Sequence, residues 1–147
     1  PQEEKNLLPI KAIFVADSQT AGKGRLGRSF FSPKDCGIYL SIIFETDFLE
    51  YENDVTLITP KVAVSVCKTL EKFESQNCQI KWVNDIILSG KKVCGILCEK
   101  QTPSDYTVIG VGINTATAKD IPTEIKEFRC TIRIKTNWSI FLLTILF

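Results

Sequence analysis

The sequence contains no histidine. That excludes Ser-His triads, histidine acid–base chemistry and histidine-ligated metals within this chain. The formal net charge is only +1, so no overall field draws the chain to nucleic acid. None of the cysteines (Cys36, Cys67, Cys78, Cys94, Cys98 and Cys130) has the Cys-x-x-Cys spacing of a zinc or dithiol motif. They read as small, reduced core residues of a cytoplasmic protein, with a disulfide or metal role as the alternative. No signal peptide opens the sequence. The longest apolar-rich run, Trp138 to Phe147, falls short of the ~20 residues that cross a bilayer, so no membrane partner is expected. No internal repeat or low-complexity tract is present.

What is there suffices for one domain: 147 residues, 44% of them hydrophobic. The chain starts at Pro1 and stops at Phe147 inside an apolar segment, which reads as a single, partial domain, 1–147, truncated at both ends. Pro1 to Pro9 is polar and irregular. Lys11 to Ala16 is a short apolar run, expected as a buried strand. A glycine-rich loop, Asp17 to Pro33, follows, and then a β-branched and aromatic strand, Gly37 to Glu45. Phe48 to Val55 is an acidic connection. Thr59-Pro60 predicts a helix start, with Thr59 as N-cap and Pro60 at the first position. Val62, Val66, Leu70 and Phe73 then share a face, and the helix is expected to run to about Ser75. Cys78 to Val83 reads as a strand ending in Asn84-Asp85. Ile86–Leu88 and Val93–Glu99 flank the turn Ser89-Gly90-Lys91-Lys92 as a hairpin. Tyr106 to Asn114 is a last strand, thinned by Gly110 and Gly112 where something must come close. A helical turn is expected at Thr123–Phe128, and Asn137 could cap a helix from Trp138.

The chemistry concentrates in the loop. Gly22, Gly24 and Gly27 are interleaved with Lys23, Arg25 and Arg28. Glycines let backbone N–H groups approach an anion, and cations supply charge. A phosphate ~4 Å from one guanidinium gains on the order of 4 kcal/mol at an effective dielectric of about 20, before desolvation. The glycines spell G-x-G-x-x-G, but Arg28 to Pro33 has no helical period and ends in proline, so the helix that a dinucleotide fingerprint needs is missing. No Gly-Lys-Ser/Thr makes it a Walker loop. The loop is thus an anion holder or a plain mobile surface loop.

Three other stretches are ambiguous alone. In Lys81-Trp82-Val83-Asn84-Asp85, Asn84-Asp85 is a turn between strands, or a carboxylate facing a ligand and suited to Mg²⁺ or an amine. Lys91 and Lys92 are solvated turn residues, or reach into a pocket beside Gly95. In Gly110-Val111-Gly112-Ile113-Asn114, the glycines relieve packing, or Asn114 reads an adenine edge.

Taken in order, these four motifs closely resemble the catalytic domain of biotin protein ligases, over roughly Val15 to Thr115. The resemblance implies an α/β (α+β) fold, a mixed sheet with flanking helices. It implies activation of biotin by ATP and Mg²⁺ to biotinyl-5′-AMP, then transfer to a lysine of a biotin carboxyl carrier protein. A lipoate or octanoyl ligase of the same fold, or an inactive fragment, is the alternative. Carried over, Gln19, Gly22, Lys23, Gly24, Arg25, Lys92 and Gly95 would bind biotin. Arg25, Arg28, Phe30, Asn84 and Asn114 would bind ATP. Arg25, Lys92 and Asp85 would be catalytic, with Asp85 also the Mg²⁺ ligand. Sheet-edge homodimers are familiar in the family. The chain departs from the pattern in Lys23 for Arg, Phe30 for Trp and Val83 for Pro. No Ser or Thr precedes Ser18, where the family has a Ser-Thr pair touching biotin. The family's DNA-binding and C-terminal domains have no counterpart here.

Overall fold

The structure, a computed structural model, describes residues 10–45, 53–73, 77–115, 122–126 and 132. In chain order the elements are β1 (Ile10–Ala16), β2 (Gly37–Glu45), α1 (Asn53–Phe73), β3 (Gln79–Lys81), β4 (Asp85–Leu88), β5 (Lys91–Gln101), β6 (Tyr106–Asn114) and α2 (Thr123–Lys126). The six strands form one sheet in the order β1-β2-β6-β5-β4-β3. Every described pairing is antiparallel, so the α+β form of the expected class is the one realised.

Alternation along the strands gives the sheet two unlike faces. On one, Ile38, Leu40 and Ile42 of β2 lie beside Ile109, Val111 and Ile113 of β6 and Cys94 and Ile96 of β5, all buried. Helix α1 covers this face at β3, β4 and β5 with Ile58, Ala63, Val66, Cys67 and Leu70. Each such aliphatic side chain contributes about 1.5–3 kcal/mol by leaving water. The other face is lowered by glycines. The register aligns Ala16, Tyr39, Gly112, Gly95 and Asp85 in one cross-strand row. A second row holds Phe14, Ser41, Gly110 and Leu97.

Two expectations need correction. β1 is not a buried strand. It is an edge strand whose Ile13, Phe14 and Val15 are 43%, 59% and 56% exposed. Helix α1 does not start at Thr59-Pro60; it begins at Asn53, with Pro60 inside it. Pro60 sacrifices one backbone bond, but Ile58, 3% exposed, extends the apolar face upstream, and its burial offsets the loss. Smaller shifts follow hydrogen bonding. The expected strand Cys78–Val83 is only Gln79–Lys81, and β4 starts at Asp85 because Lys81 pairs with it across the turn. The expected Val93–Glu99 strand extends to Lys91–Gln101. Tyr106–Asn114 matches its expected limits, and the helical turn at Thr123 is present to Lys126. Pro1–Pro9, the helix end at Ser75, and the cap at Asn137 lie outside the described residues.

Candidate active site

The glycine-rich loop connects β1 to β2 and folds back on itself. Backbone bonds run from Gln19 N to Ser32 O (3.0 Å), from Phe30 N to Gly22 O (2.7 Å) and from Gly24 N to Arg28 O (2.7 Å). Gln19 Nε2 donates to Ser32 Oγ at 3.1 Å, and Ser32 Oγ donates to Phe30 O at 3.0 Å. These bonds replace the picture of a plain mobile loop. Gly22 is required by this closure, since a Cβ there would meet the Phe30 carbonyl and stand 2.8 Å from Ser32 Oγ. A 3-10 turn, Arg25–Gly27, forms the tip, with Leu26 and Gly27 at positive φ. No helix follows Gly27, in keeping with the rejected dinucleotide reading.

The loop arches over the glycine-lowered face and encloses a cavity of about 410 Å³. From the loop, Gln19, Lys23, Gly24, Arg25, Arg28 and Phe30 line it. From the β4–β5 hairpin come Asn84, Asp85, Lys92 and Gly95. Stretches far apart in sequence thus share one site.

A polar chain ties the two sides together. Arg25 Nη1 donates to Asn84 Oδ1 at 3.3 Å. Asn84 Nδ2 donates to Asp85 Oδ1 at 2.9 Å, and the same oxygen accepts Lys92 Nζ at 2.8 Å. Lys92 Nζ also stands 5.6 Å from the centre of the Phe30 ring, within cation–π range. Both charges of the ion pair are partly exposed, so it holds geometry more than it adds stability. Among the described residues the Lys23 and Arg28 side chains have no partner. The arrangement offers several cations against Asp85 and can hold two anions side by side.

Phe30 rests on the floor. Its ring lies over Gly95 and Gly112, which are register partners. A Cβ at Gly95 would stand 2.9 Å from Phe30 Cε2 and 3.1 Å from Lys92 Nζ. One at Gly112 would meet Cε1 and stand 2.6 Å from Cζ. Two of the expected site residues do not line the cavity. Gly22 is buried within the loop. Asn114, 4% exposed, donates through Nδ2 to the Lys92 carbonyl at 3.3 Å and so braces the strand that carries Lys92. Phe14, Tyr39, Ser41, Leu97 and Gly112 line the cavity without having been expected as site residues. For Tyr39, Ser41, Leu97 and Gly112 the available signal was parity: they alternate with the core positions of their strands.

Cys94, between Lys92 and Gly95 in sequence, turns to the other face. Burial pushes its thiol up, against the opposing effect of Lys92, so it is no thiolate nucleophile. Asp85 shares its Oδ1 with Lys92 and Asn84. Among the described residues no group of three or more Cys, Asp or Glu could hold a metal. This donor set suits a cation carried in on phosphates rather than a resident ion.

The family model described as biotin/lipoate A/B protein ligase matches residues 3–114. The chain belongs to the biotin/lipoate A/B protein ligase family. Among curated relatives in this ligase family, the bifunctional ligase/repressor BirA of Bacillus subtilis is 36% identical over 132 residues, 86% of this chain and 40% of its own length. That of Escherichia coli is 34% identical over 106 residues, 69% of this chain and 32% of its own length. The chain thus spans about 40% or less of these relatives. The biotin protein ligase of Aquifex aeolicus, solved with biotin and ATP, superposes with a TM-score of 0.73 at 31% identity, over 99% of this chain and 62% of that one. No helix among the described residues is long and apolar enough to cross a membrane.

Proposed function

We propose that this chain carries the adenylating centre of a biotin protein ligase. In this reading biotin and ATP give biotinyl-5′-AMP and pyrophosphate, and biotin then passes to a lysine of a biotin carboxyl carrier protein in the cytoplasm. The observation that best supports it is the polar chain Arg25–Asn84–Asp85–Lys92, which joins the glycine loop to the β4–β5 hairpin across one cavity. Adenylation must bring a carboxylate against an α-phosphate, and preorganised cations offset their repulsion as charge builds on the five-coordinate phosphorus. Lys92 exchanges Asp85 for the biotin carboxylate. Arg25 and Arg28 take the phosphates, with Lys23 a milder point charge beside them. Gln19 and the Gly24 backbone face the acyl side. Phe30 separates the acyl floor from the nucleotide, and Asn114 keeps Lys92 in register. Mg²⁺, when bound, neutralises phosphate charge, and Asp85 is the residue that would hold it. Freed from Lys92, Asp85 also stands ready to orient the acceptor amine. The loop closing over the adenylate excludes the water that would hydrolyse it.

The test is ATP–pyrophosphate exchange with biotin, lipoate and octanoate in turn. Exchange driven by biotin is expected. Exchange driven only by lipoate or octanoate overturns the substrate, and exchange with none of them makes the chain an inactive fragment.

A further inference from the structure

We propose that Ser32 is a positioning residue of the adenylating centre, its hydroxyl fixing which end of the Gln19 side-chain amide is presented to the acyl substrate. This rests on the adenylating reading above. Ser32 lies at the base of the glycine-rich loop and is 4% exposed. Its hydroxyl makes two hydrogen bonds, donating to the Phe30 carbonyl at 3.0 Å and accepting from Gln19 Nε2 at 3.1 Å. The order of donor and acceptor is forced. A carbonyl oxygen can only accept, and a hydroxyl has one proton. The Phe30 carbonyl has no other donor among the described residues, so the Ser32 proton belongs there. Ser32 then has only lone pairs left for Gln19, which must meet them with Nε2. Turning the amide over would set Oε1 against Ser32 Oγ, or strip the Phe30 carbonyl of its donor.

What Gln19 shows to the cavity follows from this. Gln19 is a lining residue, and with Nε2 turned to Ser32 its opposite end is Oε1, which has no partner among the described residues. An exposed glutamine left to itself rotates freely and offers either end; this one is held with its acceptor available. The hydroxyl is not what closes the loop. Gln19 N bonds to Ser32 O at 3.0 Å and Phe30 N to Gly22 O at 2.7 Å, and the Tyr39 hydroxyl donates to the Pro33 carbonyl at 2.9 Å. The two legs of the loop are therefore joined to each other and to β2 through backbone atoms that a substitution at Ser32 leaves in place. Removing the hydroxyl frees the amide and not the loop.

The experiment measures biotin-dependent pyrophosphate exchange on the full-length protein and on its Ser32→Ala, Gln19→Ala and doubly substituted variants, with thermal melts confirming folding. Ser32→Ala is expected to raise the KM for biotin about fivefold, the scale of one neutral hydrogen bond, while kcat and the KM for ATP stay within about twofold. Gln19→Ala should raise the biotin KM by at least as much. In the Gln19→Ala background, Ser32→Ala should then add less than about twofold, because the amide it positions is gone. Effects that multiply in the double variant, a Ser32→Ala loss shared equally by biotin and ATP, or a Ser32→Ala chain that no longer folds would make the hydroxyl structural and overturn the proposal. An unchanged biotin KM in either single variant overturns it as well and leaves the ligase reading standing. A wild-type protein without biotin-dependent exchange overturns both.

Discussion

Gly112→Ala should be destabilising, and Phe30→Ala should reverse its sign. The added methyl would meet Phe30 Cε1 and lie 2.6 Å from Cζ, so the ring must leave the floor. Overpacking of this kind costs about 1–3 kcal/mol. Opposing it, alanine in place of glycine in an extended strand gains about 0.4–1 kcal/mol through the unfolded chain. Gly112 has no positive φ, so that gain is available. The net expectation is a loss of about 1–2 kcal/mol, seen in urea unfolding as a lower midpoint at unchanged slope. In the Phe30→Ala background the obstruction is gone, and the same substitution should become neutral or stabilising. The coupling between the two sites should then be about 1.5–3 kcal/mol. Equal costs in both backgrounds, within ~0.5 kcal/mol, would refute the placement of Phe30 on the Gly95–Gly112 floor.

Two further outcomes follow from the site and the core. Lys92→Ala should cut biotin-dependent exchange by about 10²–10³, the scale for losing one group that stabilises developing charge, with little change in unfolding midpoint because the Asp85 pair is partly exposed; a loss under tenfold would remove Lys92 from the reaction. Burial pushes the Cys67 thiol up from 9.0 to about 12, so between these values the unfolded chain ionises there and the native one does not. Stability is then intact below about pH 9 and falls as pH rises toward 12. Cys67→Ala should flatten that slope in urea melts across the range, and an unaltered slope would contradict it.

The loop was the most legible part of the chain, because glycines and cations interleaved without a following helix leave few structures open. Lys92 and Asp85 were legible as candidates, yet their 2.8 Å pairing needed the β4–β5 register. β1 was misread because an apolar run of six residues looks the same at an edge and at the centre of a sheet. Pro60 was misread because the burial of Ile58, which carries the helix past it, is a tertiary effect. Ser41 and Phe14 could not be seen as neighbours from the sequence alone. Only the β1–β2 pairing puts them side by side. Asn114 was expected at the nucleotide; among the described residues its side-chain amide donates to the Lys92 carbonyl, a contact that the sequence alone could not show.

The most direct test of the account remains ATP–pyrophosphate exchange by the full-length protein in the presence of biotin. The account predicts exchange that requires biotin, is lost in Lys92→Ala, and is not supported by lipoate or octanoate. Exchange that is indifferent to biotin, or that survives Lys92→Ala at the wild-type rate, would contradict it.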